Sequence, residues 1–360
     1  MKRASATVVL VACAVVVCAT SCRKKEEAAR VPAPAAGKDY IYAAVNNALQ
    51  IIDGTTDTVI KTIPYNDYVI RGNFSPDGKR YYANAFHSIY VFDTARQELV
   101  DTYTFSTETS KVTVGGMAAS EDGTQLYLVC TIVKKKQNVP KLNLLPPQLI
   151  VLDTRTKNIV KNYELSDYMI NTVLTLRNDP DHLILIGYDV HMFDLKTGTA
   201  KLIETLFNPR KGEKVRNCLP AQTCSSPGDH GIVVYGYYAG EGIDVSSGYM
   251  MIDRTNGTVK MLPGKDIWMN YSAVLSPDKK YIYAVMDELV KIDAETGKTV
   301  GFVQTETGTC YGVATSSDGK KVYVGLAGPD VSVYDAETLR LIKVIDLEAD
   351  GGYTLQRITM

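Results

Sequence analysis

The side chains that most often do chemistry are few and scattered in this sequence. Its four histidines, His87, His182, His191 and His230, stand far apart. His182 and His230 each lie beside a turn-forming run, NDPD and SPGD. No Gly-x-Ser-x-Gly elbow, glycine-rich phosphate loop or His/carboxylate cluster at ligand spacing occurs. No Cys-x-x-Cys, Cys-x-x-Cys-His or zinc spacing occurs either, so the chain carries no haem or structural-metal signature of its own. Beyond the first residues the cysteines are Cys130, Cys218, Cys224 and Cys310. Cys218 and Cys224 look like a pair. Yet an extended segment of that length spans roughly 20 Å, and a disulfide needs Cα atoms within about 7 Å. They can bridge only if Pro220 folds the segment back; otherwise they are separate buried thiols. The balance favours binding over catalysis.

Acidic residues are plentiful, but they recur at turns, and the recurrence reveals the elements that must position any site. A strand ending in Asp appears at Ile52-Asp53, Phe92-Asp93, Leu152-Asp153, Phe193-Asp194, Ile252-Asp253, Ile292-Asp293 and Tyr334-Asp335. The spacings are 40, 60, 41, 59, 40 and 42 residues. A second turn recurs as SPDGK at Ser75, SEDGT at Ser120, SPDKK at Ser276 and SSDGK at Ser316. The clearest repeat predicts four strands: a at Tyr311–Thr315, b at Lys321–Gly325, c at Val331–Tyr334 and d at Arg340–Val344. Alternating Val322, Val324 against Tyr323 is a strand signal, and Asp-Gly and Gly-Pro supply the turns. A period near 40 with four strands per unit predicts an all-β, seven-bladed β-propeller. The first repeat starts at strand b, Asp39–Ala43, and the chain ends in Tyr353–Ile358, which has the register of a strand a. That last strand is expected to complete the first blade, closing the ring and removing an open sheet edge.

The 360 residues carry a net charge of −1, which argues against a nucleic-acid footprint. Residues 1–22 read as an export signal. Lys2 and Arg3 precede an apolar run, Thr7–Thr20, too short to span a bilayer. Ala19-Thr20-Ser21-Cys22 resembles a bacterial lipoprotein box with Cys22 as the lipidated residue; an ordinary secretory cleavage nearby is the alternative. Residues 23–38 read as a flexible tether, and 39–360 as the propeller.

Strand direction sorts the loops. The d–a and b–c loops share one face, and the short a–b and c–d turns share the other. Both insertions fall on the first face. One is Val133–Pro147 in the third repeat. The other is split between Asn208–Cys218 and Ala239–Gly248 in the fifth. Tyr68, Tyr168 and Trp268 follow Asp67, Asp167 and Asp266 just before strand a, and Tyr271, Tyr311 and Tyr353 start strands beside the central channel. An elaborated, aromatic face suits binding. The plainer reading is that the rings plug the channel mouth and the aspartates cap turns. Lys134-Lys135-Lys136 reads as a solvated face, whereas Leu144 and Leu145 in the apolar tip LNLLPP suit a protein contact.

SPDGKRYYA, SSDGKKVYVG and VSVYDAETL resemble the YVTN-type seven-bladed propellers. The long insertion before LIVLDTRT, the GYDVHMFDLKTGT repeat, the long segment to GYMMIDRTNGT and the ending DLEADGGYTLQR are similar to the β subunits of quinohemoprotein amine dehydrogenases, across about residues 39–360. The methylamine dehydrogenase heavy chain is a more distant relative in architecture. The resemblance implies a periplasmic heterotrimer in which an α subunit carries two c-type haems and a small γ subunit carries cysteine tryptophylquinone. Primary amines are oxidised there, and the β propeller holds no cofactor and no catalytic residue. It packs on the γ subunit and helps enclose the amine pocket. The lipoprotein-like start departs from that pattern and implies a membrane tether. Two other classes stay open: a stand-alone envelope propeller that binds protein or ligand, and a propeller hydrolase of the lactonase type.

Overall fold

The computed structural model describes residues 37–136, 138–167, 169–218, 227–240, 243–305, 308–349 and 351–360, with Gly352 and Tyr353 described by their backbone alone. The signal and tether segments, with Cys22, and also Tyr168 and Cys224, lie outside the described residues. Among those described, every regular element is a strand.

Each repeat folds into an antiparallel sheet in strict chain order. In the last repeat Cys310–Thr315, Lys321–Leu326, Asp330–Asp335 and Leu341–Asp346 pair successively as strands a to d. Five of the six sheets hold one repeat each, and the eight-stranded sixth joins the fifth and sixth repeats where Val234 faces Ala273. Together they form a multi-bladed β-propeller. Gly351–Thr359 lies antiparallel to Asp39–Val45, Tyr40 opposite Ile358 and Ala44 opposite Thr354. The chain's two ends therefore share one sheet, as the missing strand a of the first repeat required.

Strand composition follows position. The b and c strands are buried on both faces by the neighbouring blades, so Lys321–Leu326 and Asp330–Asp335 are almost wholly apolar inside. The outermost strands alternate, as Glu98–Thr104 does, because one side of each faces solvent. The core is a ring of separate clusters, each fed by two successive repeats. Tyr42 and Leu49 pack on Tyr81 and Phe92, and the ring closes where Tyr323 and Val333 meet Ile41 and Ile52.

Tyrosine does two jobs at several of the junctions. Its ring fills the seam, and its hydroxyl reaches the backbone of the next blade's c–d turn. Tyr283 donates to Ala336 O at 2.8 Å, Tyr103 to Thr154 O at 3.2 Å, and Tyr163 to Leu195 O. At the closing seam Tyr323 donates to Asp57 Oδ1 at 2.8 Å, and Lys321 Nζ meets Asp57 Oδ2 at 2.7 Å.

The two turns are held by side chains. In the a–b turn Ser316 Oγ donates to Asp318 Oδ1 at 2.7 Å and accepts Lys321 N at 2.9 Å. The same contacts recur at Ser75, Ser120 and Ser276. The residue after the turn aspartate has positive φ: Gly78, Gly123 and Gly319 take it easily, while Lys279 adopts φ 65° despite its side chain. In the c–d turn Asp293 accepts Thr296 N and Thr296 Oγ1, each at 2.7 Å. Asp335 does the same with Thr338. The Thr hydroxyls first, then the backbone N–H groups, hold both carboxyls below the usual carboxylate range.

Candidate functional site

The two faces of the ring differ in chemistry. Large apolar side chains exposed on loops all belong to the d–a and b–c side. They include Tyr68, Phe86, Leu142, Leu144, Met169, Tyr188, Phe207, Ile267 and Met269. Among the described residues no a–b or c–d turn contributes one; the other exposed apolar residues lie on outer strands, such as Ile60 and Phe302, or at the chain end.

The first insertion is not a free loop. Strand b of the third repeat runs on to Lys135, strand a begins early at Ser110, and Leu142–Leu144 adds a third strand. Ser110 faces Lys134 and Leu142 faces Lys135, so the sheet continues outward as a flap beyond the blade. Leu142 and Leu144 are 61% and 53% exposed on it. Leu145 is half-buried, its N–H donating to Ile132 O at 2.9 Å. Lys134 and Lys135 are part of this strand. Lys134, Lys135 and Lys136 are all exposed.

Of the aromatic candidates, Tyr271 and Tyr311 come together. Their ring centroids are 5.0 Å apart, on the first turns of adjacent inner strands, and Ser272 Oγ donates to Tyr311 O between them. Tyr68 is 40% exposed on its own d–a loop. Trp268 stands apart from the channel mouth. Its Nε1 donates to Thr299 Oγ1 at 2.8 Å and its ring lies against Phe302 at 5.1 Å, on the perimeter strand of the sixth repeat. Trp268 lies on the connection between outer strand Thr258–Pro263 and inner strand Ser272–Leu275, and its contacts are with the perimeter. The three loop aspartates act locally: Asp67 accepts Tyr68 N, Asp167 accepts Met169 N and Tyr188 N, and Asp266 Oδ2 accepts Thr299 N. Sequence reasoning missed the exposed pair Tyr188 and Phe207, whose rings sit 4.9 Å apart across the fourth repeat's b–c turn and the second insertion. Two aromatics in turn positions were the available signal.

The opposite face holds the larger surprise. A cavity of about 480 Å³ opens where the inner strands of the second, third and fourth repeats end. Asn73, Met117 and Thr175 line it, with Arg177, Arg254 and Glu121 at its rim. Behind it, a narrow space is bordered by Arg71, Thr172, Thr354 and Gln356. Arg254 Nε donates to Thr175 O and Nη2 to Thr175 Oγ1, both at 2.8 Å; Glu121 is 3.7 Å away. Arg71 crosses the channel to Asn171 O and Thr172 Oγ1. Burial lowers the pKa of Arg71 and of Arg254 from the usual guanidinium value.

These arginines were legible as departures from the repeat. Where other units have Ser75, Ser120, Ser276 and Ser316 after strand a, the fourth has Arg177. After the c-strand aspartate stand Gly54, Thr94, Thr154, Leu195, Ala294 and Ala336, but Arg254 in the fifth. In register with Gly116, Thr172, Ser272, Gly312 and Thr354 stands Arg71.

Cys130, Cys218 and Cys310 are free thiols. Burial pushes the first two up to about 12 and Cys310 to about 11. No described group of three or more His, Cys, Asp or Glu is arranged to hold a metal ion.

No protein-family profile matches the chain, and no curated protein matches it. Solved structures do resemble it. Hydrazine synthase of Kuenenia stuttgartiensis is 18% identical with a TM-score of 0.53, over 84% of this chain and 90% of that one. Dihydro-heme d1 dehydrogenase NirN is 14% identical at 0.52, over 89% and 75%. Apo AztD of Citrobacter koseri is 11% identical at 0.52, over 89% and 98%. Likeness at this identity establishes the propeller fold and nothing finer.

Proposed function

We propose that this chain is a non-catalytic docking propeller, seven-bladed when the eight-stranded sheet is read as two blades, and specifically the β subunit of a periplasmic quinohemoprotein amine dehydrogenase. The docking reading is carried by one observation: among the described residues, the large exposed apolar side chains of the connections between strands are confined to one face. Large apolar side chains gathered on one face are costly to leave in water and mark a partner. The choice of partner rests on sequence resemblance, above all on the placement of the two insertions.

In this reading the flap with Leu142, Leu144 and Leu145 grips a small subunit bearing cysteine tryptophylquinone, and an α subunit supplies the c-type haems. Tyr68, Tyr271 and Tyr311 line or border the contact, with Trp268 stiffening its outer edge. The quinone, when bound by its own subunit, supplies the amine oxidation. This chain contributes an apolar wall that keeps bulk water from the primary amine pocket. The general base belongs to the partner. A lipid on Cys22 would tether the assembly to a membrane.

Pull-down from periplasm and membranes, followed by haem absorbance and cross-link mapping, tests the proposal. Co-purification of a dihaem protein and a small quinone-bearing protein, with cross-links on the flap and near Tyr271, is the expected result. Cross-links confined to the a–b and c–d turns would overturn the docking face. A lone colourless chain would leave a stand-alone envelope propeller, and a lone chain with hydrolytic turnover a lactonase-like enzyme. The polar wall of the channel, with Arg71, Asn73 and Thr172, is what keeps the hydrolase reading in the test.

A further inference from the structure

The loop face accounts for the apolar surface but not for the arginines at the other end of the channel. Three of them, Arg71, Arg177 and Arg254, gather where the repeat elsewhere places uncharged side chains. Arg177 and Arg254 are immediate neighbours, since Arg177 N donates to Arg254 O at 2.7 Å. Burial first, and then the Arg177 charge, lower the pKa of Arg254, and an anion between two like charges relieves their repulsion.

Their existing partners are mostly neutral. Arg177 Nη2 donates to the backbone carbonyl of Asp229, while the carboxylate of Asp229 is taken by Arg357. Arg71 donates to a carbonyl and a hydroxyl. Among the described residues no carboxylate comes within ion-pair distance of Arg71 or Arg177, and Arg254 has only Glu121 at 3.7 Å. The Arg254 side chain is just 13% exposed. A buried guanidinium without a counter-charge is costly, and a fold keeps one where something else completes it. Each of the two rim arginines spends one edge of its fork on the protein and has further N–H groups to offer. Planar forks of this kind match the paired oxygens of a carboxylate or phosphate. The cavity of about 480 Å³ is the size of a small-molecule site.

We infer that the turn-face end of the channel is a binding site for a small oxyanion, a carboxylate or phosphate ester, held between Arg177 and Arg254 with Asn73 and Thr175 on the wall. The site is separate from the loop-face contact, so either can fail without the other.

Calorimetric titration of the exported chain with inorganic phosphate and with succinate, at about 0.15 M salt, tests it. The expected result is a Kd on the order of 1 mM or tighter for at least one of them. Succinate alone binding would assign the site to carboxylates, and phosphate alone to phosphate esters. Arg254→Gln and, independently, Arg177→Gln should each weaken binding by tenfold or more. Arg177→Gln keeps the test sound if the more buried Arg254 is needed for folding. Arg155→Gln, an exposed arginine on the same face, should leave the affinity unchanged. Absence of binding by both anions, or equal loss in Arg155→Gln, would overturn the inference.

Discussion

The loop face and the turn face are built from the same repeat and yet behave as opposites. On the turn face the described connections are short, and most are closed by their own aspartate, serine or threonine, so the backbone is largely satisfied within the turn. Nothing apolar need be exposed there, and variation enters only through single side chains, as with Arg177 and Arg254. On the loop face the connections vary in length, extend into a three-stranded flap and leave leucines and aromatics in water. The difference teaches where each kind of recognition can arise. Self-capped turns can present a charge at a fixed place, whereas long connections can build a broad apolar contact.

Acid should separate the faces most strongly. Hydrogen bonds hold Asp293 and Asp335 below the usual carboxylate range, and Asp153 and Asp194 likewise through Thr156 and Thr197. Depressed pKa values stabilise the fold above the unfolded carboxylate value of about 3.9, and that stability drains away as pH falls through the folded values. Denaturant midpoints measured from pH 7 downward should therefore fall steeply only below about pH 4, with protection of turn-face amides lost first. Loss of flap protection first would break the comparison.

Next in size is the flap. Leu142→Glu with Leu144→Glu should weaken capture of the partner at least tenfold while shifting stability by no more than about 0.5 kcal/mol, as for exposed sites generally. Affinity chromatography and urea unfolding read the two effects. A large stability loss would mean that the leucines serve the fold.

On the turn face, Tyr283→Phe removes the hydroxyl that donates to Ala336 O and leaves that carbonyl one donor short. The expected cost is about 1–2 kcal/mol in urea unfolding. Lys291 Nζ also donates to Ala336 O at 2.9 Å, so a near-zero cost would show that the lysine alone satisfies the turn. The smallest effect should come from Lys279→Gly. Relief of its φ of 65° should raise stability by up to about 1 kcal/mol, an effect that a glycine placed at a residue of ordinary negative φ would not reproduce.

Much of this molecule could be read in advance because its information is local and repeated. The turn aspartates, the alternation of Val322, Tyr323 and Val324, and the unpaired registers at the two chain ends all follow from short-range rules, and they led to the sheets and to the closing strand Gly351–Thr359. The loop face was legible as a direction, because strand parity alone decides which end a connection occupies. Its details were not. Trp268 looked equivalent to Tyr68 by position but went to Phe302 and the perimeter, because a connection from an outer to an inner strand passes both and position along the chain does not say where a side chain settles. Tyr188 and Phe207 meet across connections that the chain separates.

What the amino-acid order determined by itself was the repeat: a strand period, a turn chemistry and a way to close the ring, each fixed within a few neighbouring residues. What only the tertiary structure decided was company. Arg71, Arg177 and Arg254 come from three different repeats and share one channel because ring closure brings the inner strands together. The physical reason is that a hydrogen-bonded turn is settled by its own few residues, while the charge balance of a cavity is a sum over blades that no single stretch of chain contains.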